Sequence, residues 1–503
     1  MASRAPARRT IRSIPQDRTP MAEQPAAERA HNFAEVNLGY SGADALRESA
    51  RCLFCPDEPC VRGCPVGIDI PGFIERIGEG DARGAYEVLA QTTLLPAICG
   101  RVCPQETQCE AACVVGRSLE PVAIGRLERW VGDAAIAEGW ASLPYVEPSQ
   151  FRVAVVGSGP AGLACAADMA KAGCGVTVFE AFHHAGGVLR YGIPDFRLPT
   201  AVIDAEVAKL AVLGVTFRLN TLVGRLFTVE DLLTEMGFHA VFIGVGAGTP
   251  RFLDVPGESL NGVVSANELL TRVNLMHARA FPEADTPPGI GKRVAVIGAG
   301  NTAMDAMRVC LRLGAESVRC VYRRSEVEAP ARAEELHHAR DEGVEFHWLT
   351  NPVAILDDGA GAVRALLCER MELGEPDASG RRRPVPAPEG QFEIECDTVV
   401  IAIGTDANPI LGQTSRLALD ERGYIRVDDE GATSLQGVFA GGDIVTGAAT
   451  VIEAMGAGRG AAASMRRYLG LTGSQLPYRS EPMEATLFGI PAEQRVYEPV
   501  RVA

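Results

Sequence analysis

Twice in this chain a run of aliphatic, β-branched residues ends in a glycine-spaced turn and continues as a helical pattern. The two places are VAVVGSGPAGL at 153–163 and VAVIGAGNTAMDA at 294–306. A strand that enters such a turn and leaves as a helix opens a βαβ unit, and βαβ units build parallel sheets with helices on their faces. The glycines let the backbone turn tightly and come close to a pyrophosphate, which the helix N-terminus receives. In the first copy the turn is Gly157-x-Gly159-x-x-Gly162, with Pro160 and Ala161 inside it. The second copy keeps Gly298 and Gly300 and has Ala303 in the third position, with Asn301 and Thr302 opening the helix.

The second strand of each unit separates the two ligands. After the first turn, GVTVFE ends in Glu180, where a carboxylate is placed to bind ribose hydroxyls. After the second, SVRCVYRRS ends in Arg323 and Arg324. A guanidinium pair there suits the 2′-phosphate of NADPH, because each offers a charge-assisted fork. Near the C-terminus, VFAGGDIVTGAATVIEAMGAGRGAAASM (438–465) reads as a strand ending in Gly442 and Asp443, then a helix starting near Thr450. A carboxylate at Asp443 can hold a ribitol hydroxyl. A helix N-terminus at Thr450 would favour the negative charge of a reduced flavin.

Cysteine usage is uneven. Of fourteen cysteines, eight fall in RCLFCPDEPCVRGCP (Cys52, Cys55, Cys60, Cys64) and CGRVCPQETQCEAAC (Cys99, Cys103, Cys109, Cys113). Disulfide frameworks belong to small secreted domains, so dense thiols in a 503-residue chain point to metal. Zinc can use similar spacing. The number of thiols, the Cys-Pro pairs at Cys64 and Cys103, and the flavin-type turn downstream favour [4Fe–4S] clusters, with ligands crossing between the two groups as in ferredoxins. The other six cysteines sit singly in apolar contexts, where a free thiol acts as a small hydrophobe. His183-His184 and His337-His338 lack metal-type spacing and read as surface or helix-face residues.

The expected organisation is an arm (1–45), a helical domain with two [4Fe–4S] clusters (46–148), an FAD domain in two pieces (149–285 and 391–470), an NADPH domain (286–390) and a C-terminal tail (471–503). The fold class is therefore α/β, with two nested Rossmann-like domains preceded by an α-helical iron–sulfur domain. Residues 277–291 read as the hinge into the second domain, and the polar segment 371–390 as a surface hairpin or loop. Lys and Arg total 48 against 64 Asp and Glu, a formal charge of −16. That balance speaks against nucleic acid or an anionic membrane as main partner. No apolar run approaches a membrane span, and the location expected is cytoplasmic. The basic opening MASRAPARRTIRSIPQDR lacks the apolar core of a secretory signal and reads as a solvated arm, with an organelle transit segment as the alternative.

These motifs together resemble the glutamate synthase small-subunit family. PMAEQPAAERAHNFAEVNLGY, RCLFCPDEPCVRGCPVGIDIP, LPAICGRVCPQETQCEAACV, YGIPDFRLP, GAGNTAMDA, VYRRS and AGGDIVTGAATVIEAMGAGR carry the resemblance, from about Arg18 to Tyr468. The same family includes the large subunit of the Nfn-type NADH-dependent ferredoxin–NADP oxidoreductase, and dihydropyrimidine dehydrogenase is a more distant relative. The resemblance implies one cluster on Cys52, Cys55, Cys60 and Cys113. It implies a second on Cys64, Cys103, Cys109 and Glu128, leaving Cys99 structural; Cys99 in place of Glu128 is the rival assignment. It also implies flavin contacts at the 157–162 loop, Glu180, Gly187, Leu189, Gly192-Ile193-Pro194 and Asp443, and NADPH contacts at Gly298, Asn301, Thr302, Arg323 and Arg324.

The function expected is an NADPH-dependent flavin oxidoreductase subunit that passes electrons through two clusters to a large subunit making glutamate, with no side-chain acid or base. The alternatives are a bifurcating Nfn-type large subunit, another self-contained NADPH-dependent enzyme, or a non-catalytic subunit that keeps its cofactors.

Overall fold

The structure, a computed structural model, describes residues 9–140, 147–377, 380–388 and 390–471. The expected tail therefore lies outside the described residues except for Leu471, as do the first eight residues of the arm.

Residues 42–137 form a helical unit. Its helices Gly42–Ser49, Ile70–Gly78 and Ala82–Ala90 each start on a side-chain cap, from Ser41, Asp69 and Asp81. Those caps accept the first free backbone N–H groups. Helices Pro96–Val102 and Ile124–Ala137 cross at glycine: a Cβ on Gly100 would lie 2.5 Å from Arg129 N, and one on Gly132 would lie 2.4 Å from Ala97 N. The unit is organised round a fully buried ion pair. Arg51 donates to Glu48 at 2.9 Å and to the carbonyls of Glu120, Pro121 and Pro15, while Glu48 also accepts from Thr19 N and Ala123 N at 2.8 Å each.

Two five-stranded parallel sheets come next. The first runs Val438–Ala440, Ala240–Ile243, Arg152–Val156, Gly175–Phe179, Thr216–Arg218. The second runs Val263–Ser265, Thr398–Ile401, Arg293–Ile297, Ser317–Val321, Glu345–His347. The second sheet thus takes strands from both sides of the expected 286–390 span. Arg293–Ile297 needs Thr398–Ile401 as its inner neighbour, and that strand in turn is flanked by Val263–Ser265. The chain crosses between the sheets at Thr249–Pro250 and returns at Thr405–Asp406, which pair antiparallel. The passage therefore lies near 250 and 405, and 277–291 is not the hinge. Segment 371–390 does contain a hairpin, whose arms Val363–Pro376 and Arg382–Pro386 belong to a four-stranded sheet with Thr350–Asp357 and Phe392–Glu395.

Buried arginines tie the units together. Arg197, beside the first sheet, donates to Asp305 at 2.7 Å and lies 3.0 Å from Glu335, both on helices of the second unit. Arg332 of the second unit donates to Arg101 O at 2.7 Å and Gln105 Oε1 at 3.1 Å in the helical unit. The arm joins the same seam, with Val36 N donating to Phe196 O and the Glu23 carboxylate accepting from His338 Nε2 at 3.1 Å. His338 is 2% exposed, so it is not a surface residue. Among the described residues no helix is long and apolar enough to cross a membrane.

Replacing Glu48 by Ala leaves a buried guanidinium without its carboxylate and two backbone donors without an acceptor. We expect a loss of about 3–5 kcal/mol from the helical unit, measured as a lowered thermal midpoint by calorimetry. An unchanged midpoint would mean that Arg51 is held by the three carbonyls alone.

Candidate nucleotide and iron–sulfur sites

Both glycine-rich turns open into one cavity of about 1340 Å³. Gly157, Gly159, Pro160 and Ala161 line it from the first sheet, and Gly298, Gly300, Asn301 and Thr302 from the second. In each turn the first glycine answers to the fold: a Cβ on Gly157 would lie 2.5 Å from Gly244 O, and one on Gly298 2.3 Å from Ala402 O. The second glycine answers to the cavity, since a Cβ on Gly159 or Gly300 meets nothing nearer than 4.0 Å or 3.8 Å. The room left there is what a close-lying pyrophosphate needs, so the turns fit the dinucleotides.

Glu180 lines the cavity from the end of Gly175–Phe179. Its carboxylate accepts from Ser158 N at 3.0 Å, Ser158 Oγ at 2.5 Å and Phe182 N at 2.9 Å, and burial raises its pKa. Gly187, Gly192, Ile193, Gly442, Asp443 and Thr450 also line the cavity. Asp443 sits where the chain takes a positive φ at Gly442, and burial pushes it up to about 6. Thr450 caps the long helix Val451–Tyr468, accepting from Glu453 N at 3.3 Å. Pro194 does not line the cavity, and two further expected contacts are also elsewhere. Gly162 presses against Gly157 O, where a Cβ would lie 2.0 Å away, and the Leu189 side chain is fully buried in the core of the first unit. Neither lines the cavity, because one seats the helix on its strand and the other fills the space beneath the turn.

The arginine pair is not a pair of equals. Arg323 is exposed at the cavity wall. Arg324 is 8% exposed and its guanidinium donates to Asp377 at 2.7 Å and to Arg382 O at 2.9 Å. Residues without an assigned role in the sequence also reach the cavity: Arg197, Asp305 and Arg381. Arg197 stood inside YGIPDFRLP and Asp305 inside GAGNTAMDA, so the motifs contained them; Arg381 was hidden in a run of surface-type arginines.

The cysteines gather into two sets. Burial raises Cys52, Cys55 and Cys60, the first and last to about 12, and repulsion from Cys113 adds to all three. Burial also raises Cys64 and Cys109, while Cys103 is raised by a hydrogen bond with Cys99 and by burial. These three thiols all feel the carboxylate of Glu128. Glu128 is 6% exposed, its Oε1 has no hydrogen-bond partner, and burial pushes it up to about 8. Cys99 faces another way as well: its sulfur lies 3.6 Å from Met455 Sδ and 4.0 Å from Thr93 Oγ1. Among the described residues no three cysteine sulfurs lie mutually within 4.8 Å. Thiolates around one zinc, at about 2.3 Å from it, would stand about 3.8 Å apart. The wider spacing fits an iron–sulfur cube better than a zinc ion, and the orphaned Glu128 oxygen is free to act as a ligand.

Residues 151–458 match the family model for pyridine nucleotide-disulphide oxidoreductases, and residues 29–140 match that for dihydropyrimidine dehydrogenase domain II, 4Fe-4S cluster. UacF of Escherichia coli (strain K12), described as an oxidoreductase, is 41% identical over 88% of this chain and 70% of its own. The glutamate synthase [NADPH] small chain of Halomonas elongata is 38% identical over 89% of this chain and 95% of its own. That of Escherichia coli (strain K12) is 37% identical over 89% and 96%. Among solved structures, FprA from Mycobacterium tuberculosis in complex with NADPH superposes with a TM-score of 0.55 at 22% identity, covering 64% of this chain and 85% of that one, a likeness of fold. Identical at 37–38% along nearly the whole of those small chains, and matching the pyridine nucleotide-disulphide oxidoreductase model over residues 151–458, this chain belongs to the glutamate synthase small-subunit family of pyridine nucleotide-disulphide oxidoreductases.

Proposed function

We propose that this chain oxidises NADPH and delivers the electrons to a partner chain, as the small subunit of a cytoplasmic glutamate synthase whose large subunit makes glutamate. The observation that carries the reading is the single cavity reached by both glycine-rich turns and also by Val102 and Pro104, the two neighbours of Cys103. When bound, the flavin accepts a hydride and the clusters accept electrons one at a time.

The chain's own part is to hold and orient. The first turn, Glu180 and Asp443 would hold FAD, and the second turn would bring NADPH to it across the same cavity. The N-terminus of helix Val451–Tyr468, ending at Thr450, directs its positive end into the cavity and favours negative charge there. Gln108 Nε2 donates to Thr450 Oγ1 at 3.4 Å, which ties that helix start to the loop between Cys103 and Cys109. The set with Cys64, Cys103, Cys109 and Glu128 therefore adjoins the cavity. The set with Cys52, Cys55, Cys60 and Cys113 is the outer one, and the partner would meet the chain on that side. Fourteen cysteines without a disulfide among the described residues suit a reducing compartment.

Anaerobically isolated protein should carry about eight irons. Glu128→Ala should bring this toward about four while Cys99→Ala leaves it unchanged; the reverse pattern would make Cys99 the fourth ligand. Gly159→Ala, whose methyl would meet no protein atom nearer than Gly244 O at 4.0 Å, should leave the fold intact and lower the flavin absorbance at about 450 nm per mole of chain, where oxidised flavins absorb. Full flavin content in that variant would remove this turn from the FAD site.

A further inference from the structure

We propose that Arg9 of the arm is a positioning residue for the outer cysteine set, Cys52, Cys55, Cys60 and Cys113. Its guanidinium caps the helix that leads into Cys52, and its charge makes a cluster held on those cysteines easier to reduce. The assignment rests on the reading of that set as the ligands of a [4Fe–4S] cluster and names a residue outside the set that tunes it.

Helix Gly42–Ser49 has its C-cap at Ala50, just ahead of Cys52. The last carbonyls of a helix lack the N–H groups of a following turn and carry partial negative charge. Arg9 Nη1 supplies a donor there, 3.3 Å from Ser49 O, 3.0 Å from Ala50 O and 3.4 Å from Cys52 O. Its backbone N donates to Leu53 O at 3.3 Å, and its guanidinium carbon lies 5.1 Å from the centre of the Phe54 ring. Arg9 thus touches Ser49, Ala50, Cys52, Leu53 and Phe54, the stretch that carries the first cysteine and leads to the second. Phe54 takes φ +53°, a left-handed conformation that a bulky side chain rarely adopts, and Cys55 follows it directly. The contacts to Leu53 O and to the Phe54 ring hold the backbone at the turn where it most needs support.

The basic opening of the chain reads from its sequence as a solvated arm, but Arg9 is half-buried against the helical unit. The segment after it is anchored as well: Ile14 is 5% exposed in the core of that unit, and Ile11, Cys52, Phe54, Cys60 and Cys113 pack against the same core. Among the described residues no carboxylate forms an ion pair with Arg9, so its charge is offset only by the carbonyls and the ring. Burial raises Cys52, and the Arg9 charge works against that rise, which puts the guanidinium within electrostatic reach of the first thiol. A cluster that takes up one electron gains one negative charge, and its potential follows the net charge and hydrogen bonding around it. A guanidinium fixed on the negative end of the helix turns that end from unfavourable to favourable for the added charge.

The test is a reductive titration of the anaerobically isolated full chain, with dithionite as electron donor and the electron paramagnetic resonance of the reduced clusters as readout. Cys60→Ala identifies the outer cluster's signal by removing it. Arg9→Gln keeps an amide donor and loses the charge. It should weaken electron uptake by the outer cluster about fivefold, a fall in midpoint potential of about 40 mV at about 59 mV per tenfold for one electron. The other cluster's potential and the iron per chain should not change. Arg9→Lys keeps the charge and should stay close to the wild-type potential, whereas a merely structural cap would move the two variants together. Loss of the outer cluster from Arg9→Gln with retention in Arg9→Lys would also support the assignment. An unchanged potential in Arg9→Gln, equal shifts in the two variants, or loss of the cluster from both overturns the proposal. Persistence of every signal in Cys60→Ala would instead overturn the ligand set beneath it.

Discussion

Arg197 is the side chain on which the relation between the two nucleotide-type units depends. It lies between helices Val188–Tyr191 and Thr200–Val212 of the first unit, yet both its acidic partners, Asp305 and Glu335, stand on helices of the other unit. A guanidinium buried to this degree is costly unless it is paired, and here its partners are equally costly without it. Burial alone would raise Glu335, but Arg197 and Arg308 hold it low, at about 2; Asp305 is raised by burial, to about 6. Separating the units would expose or orphan three charged groups at once. Arg197 and Asp305 also line the cavity, so the interaction that fixes the angle between the sheets lies at the place where the two dinucleotides are proposed to meet. Hydride transfer requires reacting atoms to be held close and aligned, and a rigid seam at that point supplies the alignment without a side-chain acid or base.

The parts of this fold that were legible in the sequence are those where backbone sterics dictate spacing. Gly157 and Gly298 each face a carbonyl across the neighbouring strand, at Gly244 and Ala402, and no larger residue fits. Their positions therefore announced both units and the ends of the strands before them. The boundaries of the inserted unit were not legible. Its outermost strand is the three-residue Val263–Ser265 and the crossings are two residues long, too short to show an alternating pattern. The helical unit was readable as a unit from its cysteine spacing, but its central ion pair was not, because the carbonyls that Arg51 needs come from residues about 36 to 70 positions away.

At the site, the residues that sequence reasoning missed share one cause. Whether a charged residue is available depends on partners distant in sequence. Arg323 and Arg324 look alike in VYRRS, and only the folded hairpin shows that Asp377 holds one of them. His338 looked like a helix-face residue, and Glu23, more than three hundred residues earlier, buries it against the arm. Leu189 came in with its turn and left with its side chain in the core. Glu128, suggested by resemblance alone, gains a physical reason: a carboxylate with an unpartnered buried oxygen, facing three thiols, needs either a proton or a metal-bearing neighbour.

The helical unit's place in the assembly bears on how electrons would leave. Helix Pro96–Val102 runs from the contact with the first unit to Cys103, and the residues on either side of that cysteine form part of the cavity wall. Arg332, whose backbone N–H also holds Asn301 at the start of the second turn's helix, reaches across to Gln105 on the loop after Cys103. Gln105 in turn donates to Cys99 O at 3.2 Å. The second dinucleotide turn and the inner cysteine set are thus joined through two buried side chains, by a path that does not pass through the flavin site. In a relay built this way the distances are properties of the packed interior, and binding a dinucleotide need not move the helical unit at all. Cys52, Cys55, Cys60 and Cys113 are only partly buried, and none of them lines the cavity. The cavity between the two sheets and the cysteine sets of the helical unit are thus separate regions of the fold that meet at Val102 and Pro104.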